Sequence, residues 1–286
     1  MSERPVALVT GASRGMGASI ALELAAAGYD VAIAARTLNE ATRPKDYKSM
    51  LNTGSLSTLE AVAAGIEQHG AEALAVRMDL ADLDSVAIAA DTVLATFGRC
   101  DVLVNNGVYQ GPGSTEFFLD TAISVFETHL RADVVAPGLL IQKLVPGMVA
   151  RGSGFVVNMS SYVASNDPPG TVKTNGWTLS YAAGKAGIDR FAGVLNQELA
   201  GTGVVTFNVE PGFVAYGPAL EDSLTKYPGM PVSPPEAIGT AVRWLVTTPG
   251  AERLAGKRIH LPAVATKNGL VPGWEGPGTR FATSFG

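Results

Sequence analysis

The sequence holds a single cysteine, Cys100, which excludes an internal disulfide framework. A reducing, cytoplasmic location is the expectation that follows. Its three histidines, His69, His129 and His260, are scattered without metal-ligand spacing, so no metal centre is expected. It has no basic block, and 21 Lys and Arg against 26 Asp and Glu leave a net charge of −5. Nucleic acid is therefore not an expected partner, because phosphates need clustered cations. The opening "MSERPVALVTGAS" carries charge and then an apolar run of strand length, too short for a signal or membrane helix. No membrane partner is expected. Internal repeats and low-complexity tracts are also missing.

What is present is alternation. Short, nearly continuous apolar runs at 5–10, 30–35, 72–78, 101–106, 154–160, 204–210 and 257–261 read as strands buried on both faces. Longer segments near 15–27, 57–69, 83–97, 120–150, 179–201 and 234–247 read as helices. Such alternation predicts an α/β fold: a doubly wound parallel sheet of about seven strands with helices on both faces. No stretch resembles a linker, so residues 1–286 are expected to form one domain. Three stretches break the pattern: polar links at 37–56 and 162–178, and a Gly- and Pro-rich tail at 263–286. Links of this length are usually functional or disordered.

"VTGASRGMGASIALELAAAG" reads as strand, glycine turn, helix. Gly11, Gly15 and Gly17 lie on the turn and first helical residues, together with Ser13 and Met16. Glycines there let backbone approach a pyrophosphate, and a helix start offers N–H groups and a positive dipole end. The acid that selects NAD(H) is expected at the end of the second strand, and Ala35 stands there. Arg36 follows, and Arg14 sits in the turn. Two guanidinium groups suit a 2′-phosphate, so NADP(H) is expected over NAD(H). Arg43, Lys45 and Lys48 could add charge or be plain surface. Asp79, followed by Leu80, and Asn105, Asn106 and Gly107 end further strands where a dinucleotide crevice would lie.

"LSYAAGKAGIDRF" places Tyr181 and Lys185 four residues apart, on one helix face. An ammonium beside a phenol would depress its pKa and ready it for proton transfer with a carbonyl or alcohol. Ala182, Ala183 and Gly184 would let a cofactor pass close to the helix. Ser160 and Ser161 end the fifth strand, where a hydroxyl could hold a substrate oxygen. Each feature alone also has a plain structural use: a turn, a cap, a surface pair.

Together, "TGASRGMG", "NNG", "SS", "YAAGK" and "PGFV" resemble the short-chain dehydrogenase/reductase family in order and spacing, over about residues 5–262, in its TGxxxGxG branch. The resemblance implies a Rossmann-type sheet, Tyr181 as general acid/base, Lys185 binding ribose and tuning the tyrosine, and Ser161 orienting substrate. It implies that Pro211, Gly212 and Val214 lie along the nicotinamide. It also implies a homodimer or homotetramer packed through the helices at 120–150 and 179–201. The chain departs from the family at Asp133, where an asparagine is usual, at "NNGV" for NNAG, and at Tyr216 after "PGFV". Asp133 is expected to hold the water that the asparagine holds, to attract Lys185, or to be purely structural. Ser161 and Tyr181 are 20 positions apart, more than is typical. The intervening loop is expected to shape the pocket, with Trp177, Tyr162, Tyr109, Phe213 and Tyr216 making it aromatic and apolar. The expected reaction interconverts a ketone or aldehyde and an alcohol on a small, apolar substrate. A non-redox lyase or isomerase, and a non-catalytic NADP sensor, use the same motifs.

Overall fold

The computed structural model describes residues 3–42, 58–215, Thr225 and 231–277. Arg43, Lys45, Lys48, Tyr216 and most of the 37–56 link lie outside the described residues.

Seven strands form one sheet: β1 (Val6–Thr10), β2 (Asp30–Ala35), β3 (Ala73–Arg77), β4 (Val102–Asn105), β5 (Gly154–Met159), β6 (Val204–Glu210) and a late strand at Arg258–His260. Their order is β3-β2-β1-β4-β5-β6 followed by the late strand, and all pair in parallel. The direction of winding reverses between β1 and β4, and ligands of such sheets bind outside the strand ends at that point. Two-residue strands β7 (Phe213–Val214) and β8 (Val232–Ser233) pair separately, so the Arg258–His260 strand is β9.

Helices cover both faces. On one side α1 (Gly15–Ala26) and α2 (Leu59–Glu67) pack with α8 (Pro235–Thr247) and α9 (Leu261–Lys267). On the other lie α3 (Leu83–Phe97), α4 (Ile123–Leu130), α5 (Ala136–Arg151), α6 (Leu179–Asp189) and α7 (Phe191–Glu198). Val9, Val31, Ile33 and Val104 face one core and Leu8, Ala32, Ala34 and Leu103 the other. This two-sided burial is why the strands read as continuous apolar runs rather than alternating ones.

The structure differs from the sequence-based expectation in three elements. The single helix expected over 120–150 is α4, a π-helical turn (Arg131–Val135) and α5. Pro137 has no N–H to give the carbonyl of Asp133, and its ring crowds that carbonyl, so the turn widens. The helix expected over 179–201 is divided at Arg190 into α6 and α7. The tail begins with a helix, α9, not an irregular stretch. Pro262 fits a first helical turn, and the His260 ring nitrogen accepts the N–H of Ala263 at 3.3 Å. Among the described residues one helical run, Ile123–Arg151, could cross a membrane by length and composition, and half of its most apolar 18-residue stretch is buried in the fold.

Candidate active site

The glycine turn joins β1 to α1 at the reversal point. Arg14 holds the N-cap position of α1, where Ser, Thr, Asp or Asn would be usual, and its side chain makes no capping hydrogen bond. Helices α2, α3 and α6 are capped by Thr58, Asp82 and Thr178. The first N–H groups of α1 therefore face a cleft with an arginine beside them, the arrangement that binds a phosphate.

That cleft collects most of the expected cofactor residues. Gly11, Ser13, Arg14, Gly15, Met16 and Gly17 line it from the turn. Arg36 lines it from the end of β2, Asp79 and Leu80 from the end of β3, Asn106 and Gly107 from the end of β4, and Val214 from β7. Pro211, Gly212, Tyr181 and Lys185 are not among the described residues that line it.

Several of these residues first serve the protein itself. A Cβ on Gly11 would lie 2.7 Å from the Gly107 Cα, and one on Gly17 would lie 2.4 Å from the Gly11 carbonyl oxygen. A Cβ on Gly107 would meet the Leu80 side chain at 2.9 Å. These glycines let the turn press onto the end of β4. Asn106 braces the same contact, donating to the Thr10 carbonyl at 2.8 Å and the Gly11 carbonyl at 3.3 Å. Asp79 accepts the Ala81 N–H at 3.0 Å, closing a turn at the cleft edge. Gly15, on the cleft side of α1, has a φ of 56°, a left-handed conformation that favours glycine.

A second cluster lies at the ends of β5 and β6. The Ser161 hydroxyl lies near the Tyr181 phenol and eases its ionisation. Ser161 caps the 3-10 turn at Tyr162–Ala164, and Thr178 caps α6 by accepting the Tyr181 N–H at 3.2 Å. The 162–178 loop is thus pinned at both ends by caps adjoining the two hydroxyls. Lys185 is buried and donates to the Met159 carbonyl at 2.7 Å, and its Nζ lies 5.9 Å from the centre of the Tyr181 ring. Asp189, one turn further, accepts the Ser160 hydroxyl at 2.6 Å and pairs with Arg258. Tyr181, Lys185 and Asp189 form one stripe of α6 against the strand ends.

The electrostatics differ from the expectation of a depressed tyrosine. Burial raises the Tyr181 pKa, the Ser161 hydroxyl opposes this, and the charges of Asp133 and Glu210 add to the rise. Burial lowers the Lys185 pKa, with Asp133 acting against it. The lysine ammonium donates to Met159 while standing over the Tyr181 ring, and it is not hydrogen-bonded to the phenol. Glu210, buried at the end of β6, is pushed up to about 7 chiefly by burial.

Glycines on α6 also make room for neighbouring protein atoms. A Cβ on Gly184 would meet Asp133 Cβ at 2.9 Å, and one on Gly187 would meet Val134 at 2.6 Å. These two glycines give clearance to the π turn. Asp133 is buried there and accepts the Tyr109 N–H at 2.7 Å. His129, for which metal spacing suggests no role, lies buried beside it. The signal that does mark it is the i, i+4 spacing of His129 and Asp133.

Of the expected pocket aromatics, Tyr162 and Trp177 pack edge to face at 6.3 Å, and Tyr109 lies in the cofactor cleft against His129 at 4.7 Å. The loop is tied across to the segment after β4 by Lys173, which donates to the Thr115 carbonyl at 2.7 Å. It also encloses a hollow with Leu179, Ala182 and Ala186 of α6, which neither Ser161 nor Tyr181 lines. Among the described residues no group of three or more His, Cys, Asp or Glu could hold a metal ion.

Known proteins are similar to this chain in sequence and fold. The family model for short chain dehydrogenases matches residues 5–55 and 44–226. The 3-oxoacyl-(acyl-carrier-protein) reductase FabG of Staphylococcus aureus is 33% identical over 267 residues, covering 89% of this chain and 95% of that protein. The corresponding reductase of Synechocystis sp. is 30% identical, covering 90% and 94%. A metagenomic short-chain oxidoreductase solved in complex with NADP superposes with a TM-score of 0.67 at 28% identity, covering 90% of this chain and 96% of that one. A 3-oxoacyl-(acyl-carrier protein) reductase from Brucella melitensis superposes at 0.72 with 27% identity, covering 91% and 96%. Sheet order, glycine turn, serine–tyrosine–lysine cluster and sequence similarity agree, and the chain belongs to the short-chain dehydrogenase family of oxidoreductases.

Proposed function

We propose that the protein is an NADP(H)-dependent oxidoreductase that interconverts a carbonyl and an alcohol, with Tyr181 as the general acid/base. The observation that carries this reading is the convergence of Ser161, Tyr181 and the buried Lys185 at the end of β5, next to the strands whose ends form the dinucleotide cleft. Ser161 holds the substrate oxygen, and Tyr181 hands it a proton as the carbonyl carbon is reduced. Bound NADPH supplies the hydride. A phenol whose pKa is raised by burial stays protonated at neutral pH, which suits carbonyl reduction. Lys185 fixes α6 onto β5, so Tyr181 is held beside Ser161, and its ammonium is also the group proposed to bind the cofactor ribose. Asp133 acts on that pair from behind α6.

The start of α1 with Arg14, and Arg36 across the cleft, fit the phosphates of NADP(H), the 2′-phosphate included. Pro211 and Gly212 are assigned to the nicotinamide end. The substrate is a small carbonyl compound. Because similar proteins are 3-oxoacyl-(acyl-carrier-protein) reductases, a 3-oxoacyl thioester is the class to test first. The 162–178 loop and the segment after β4, joined by Lys173, form the rim on the substrate side.

We place the enzyme in the cytoplasm as a homodimer or homotetramer. Val135 of the π turn, Val149 of α5, Leu179 of α6 and Val194 of α7 are exposed, and burying them between copies would shield apolar surface. The test is oxidation of NADPH, and separately NADH, by the purified protein with a panel of 3-oxoacyl thioesters and simple ketones. Turnover preferring NADPH supports the reading, and failure to oxidise either cofactor with any carbonyl rejects it.

A further inference from the structure

His129 and Asp133 form a buried pair directly behind the Tyr181–Lys185 stripe, and the proposed reaction leaves the histidine without a role. His129 is 1% exposed and Asp133 4%. The His129 Nε2 lies 3.0 Å from the carbonyl oxygen of Pro112, which can only accept, so Nε2 carries a proton. The other ring nitrogen, Nδ1, faces Asp133 Oδ2 at 3.9 Å. Both atoms are buried, and among the described residues neither has a hydrogen-bond partner. Asp133 Oδ1 is already occupied by the Tyr109 N–H at 2.7 Å.

A neutral imidazole protonated on Nε2 would turn a lone pair toward the carboxylate, leaving the buried Oδ2 without a donor and only the Lys185 charge to offset it. That arrangement is costly, and one additional proton on Nδ1 removes the cost. The ring is held for it: Tyr109 packs edge-on at 74°, and Gly113 leaves room where a Cβ would meet Nε2 at 3.0 Å. Asp133 in turn touches α6 at Gly184, between Tyr181 and Lys185, and its Oδ2 lies 3.0 Å from where a Cβ would stand.

We propose that His129 is a positioning residue that acts through Asp133: as an imidazolium it compensates the carboxylate and sets how much negative charge reaches Tyr181 and Lys185. This rests on the reading of Tyr181 as the acid/base. The titratable and charged groups around the pair are Tyr109 on the segment after β4, Tyr181 and Lys185 on α6, and Glu210 at the end of β6. Asp133 acts on both α6 residues in the same direction, favouring their protonated forms. An asparagine at 133 would carry no charge and need no such partner.

The test is the pH profile of alcohol oxidation with NADP+, which reports loss of the Tyr181 proton. His129→Gln removes one of the two cations offsetting Asp133, so its alkaline limb moves up by about one pH unit. In the Asp133→Asn background the same substitution leaves the limb in place, because there is no charge left to compensate. Superimposable profiles for wild type and His129→Gln, or equal shifts in both backgrounds, overturn the proposal. If His129→Gln fails to fold, the nitrogen and proton resonances of His129 in the wild-type protein decide the matter. Two ring N–H groups at neutral pH are expected, and a neutral ring overturns it. Tyr181→Phe is the control: if that variant stays fully active, the acid/base reading and this inference both fall. If it is inactive while His129→Gln shifts nothing, this inference alone falls.

Discussion

Lys185 donates to the carbonyl of Met159 at 2.7 Å, tying α6 to the last residue of β5. The next strand-end residues are Ser160 and Ser161, so this one bond sets Tyr181 against Ser161. Replacing Lys185 by Met removes the bond and leaves a buried carbonyl unpaired, at a cost of about 1–3 kcal/mol. Lys185→Met is expected to lower kcat/KM by about 100-fold or more for carbonyl reduction, on the scale of lost acid/base positioning. Steady-state kinetics together with a thermal melt separate the lost chemistry from the lost stability.

Arg14 and Arg36 line the cleft from two different elements, the turn and the end of β2. If they hold the 2′-phosphate, Arg36→Ala weakens NADPH by about 10- to 100-fold, the worth of one charge-assisted contact, and leaves NADH nearly unchanged. Fluorescence titration of each reduced cofactor measures the two affinities. Equal losses for both would place Arg36 elsewhere.

Gly184 has no room for a methyl group, because the atom it would meet is the Cβ of Asp133 on a packed helical turn. Gly184→Ala is expected to cost about 1–3 kcal/mol through overpacking. The melting temperature then falls by roughly 2–10 °C for a chain of this size. Differential scanning calorimetry reads the shift, and a variant as stable as wild type would show that the two helices move apart freely.

Glu210 has its pKa raised to about 7 by burial, from an ordinary value of 4.5. A carboxyl raised on folding binds its proton more tightly in the folded state. Its contribution is complete below about pH 4.5 and is lost as pH rises toward 7. The change amounts to about 3 kcal/mol, from 1.36 kcal/mol per unit. Glu210→Gln is expected to flatten the pH dependence in that window and to be more stable than wild type at pH 8. Denaturant unfolding at several pH values tests it, and parallel curves for both proteins would contradict it.

The sheet is legible in the sequence because each strand is buried on both faces and therefore apolar throughout, and all seven main strands fall within a residue or two of expectation. The phosphate turn is equally legible, since its glycines follow a strand and open a helix. What the sequence does not convey is what those glycines touch. Gly17 and Gly184 answer to neighbouring protein atoms, a tertiary fact with no local signature. The π turn is hidden because Pro137 sits within an otherwise good helical pattern, and α9 because proline there starts a helix rather than ending one. The sense of the Tyr181 shift is not legible either, because burial outweighs a lysine whose ammonium is directed at Met159.

The central claim is that the Tyr181 hydroxyl carries the proton. Tyr181→Phe deletes that oxygen and little else, so the measurement is NADPH oxidation with a 3-oxoacyl thioester alongside NADPH affinity for the same variant. Turnover is expected to fall by about 1000-fold or more, within the range for loss of a general acid, while NADPH binding stays within a few-fold of wild type. A Tyr181→Phe protein that turns over at the wild-type rate would contradict the account.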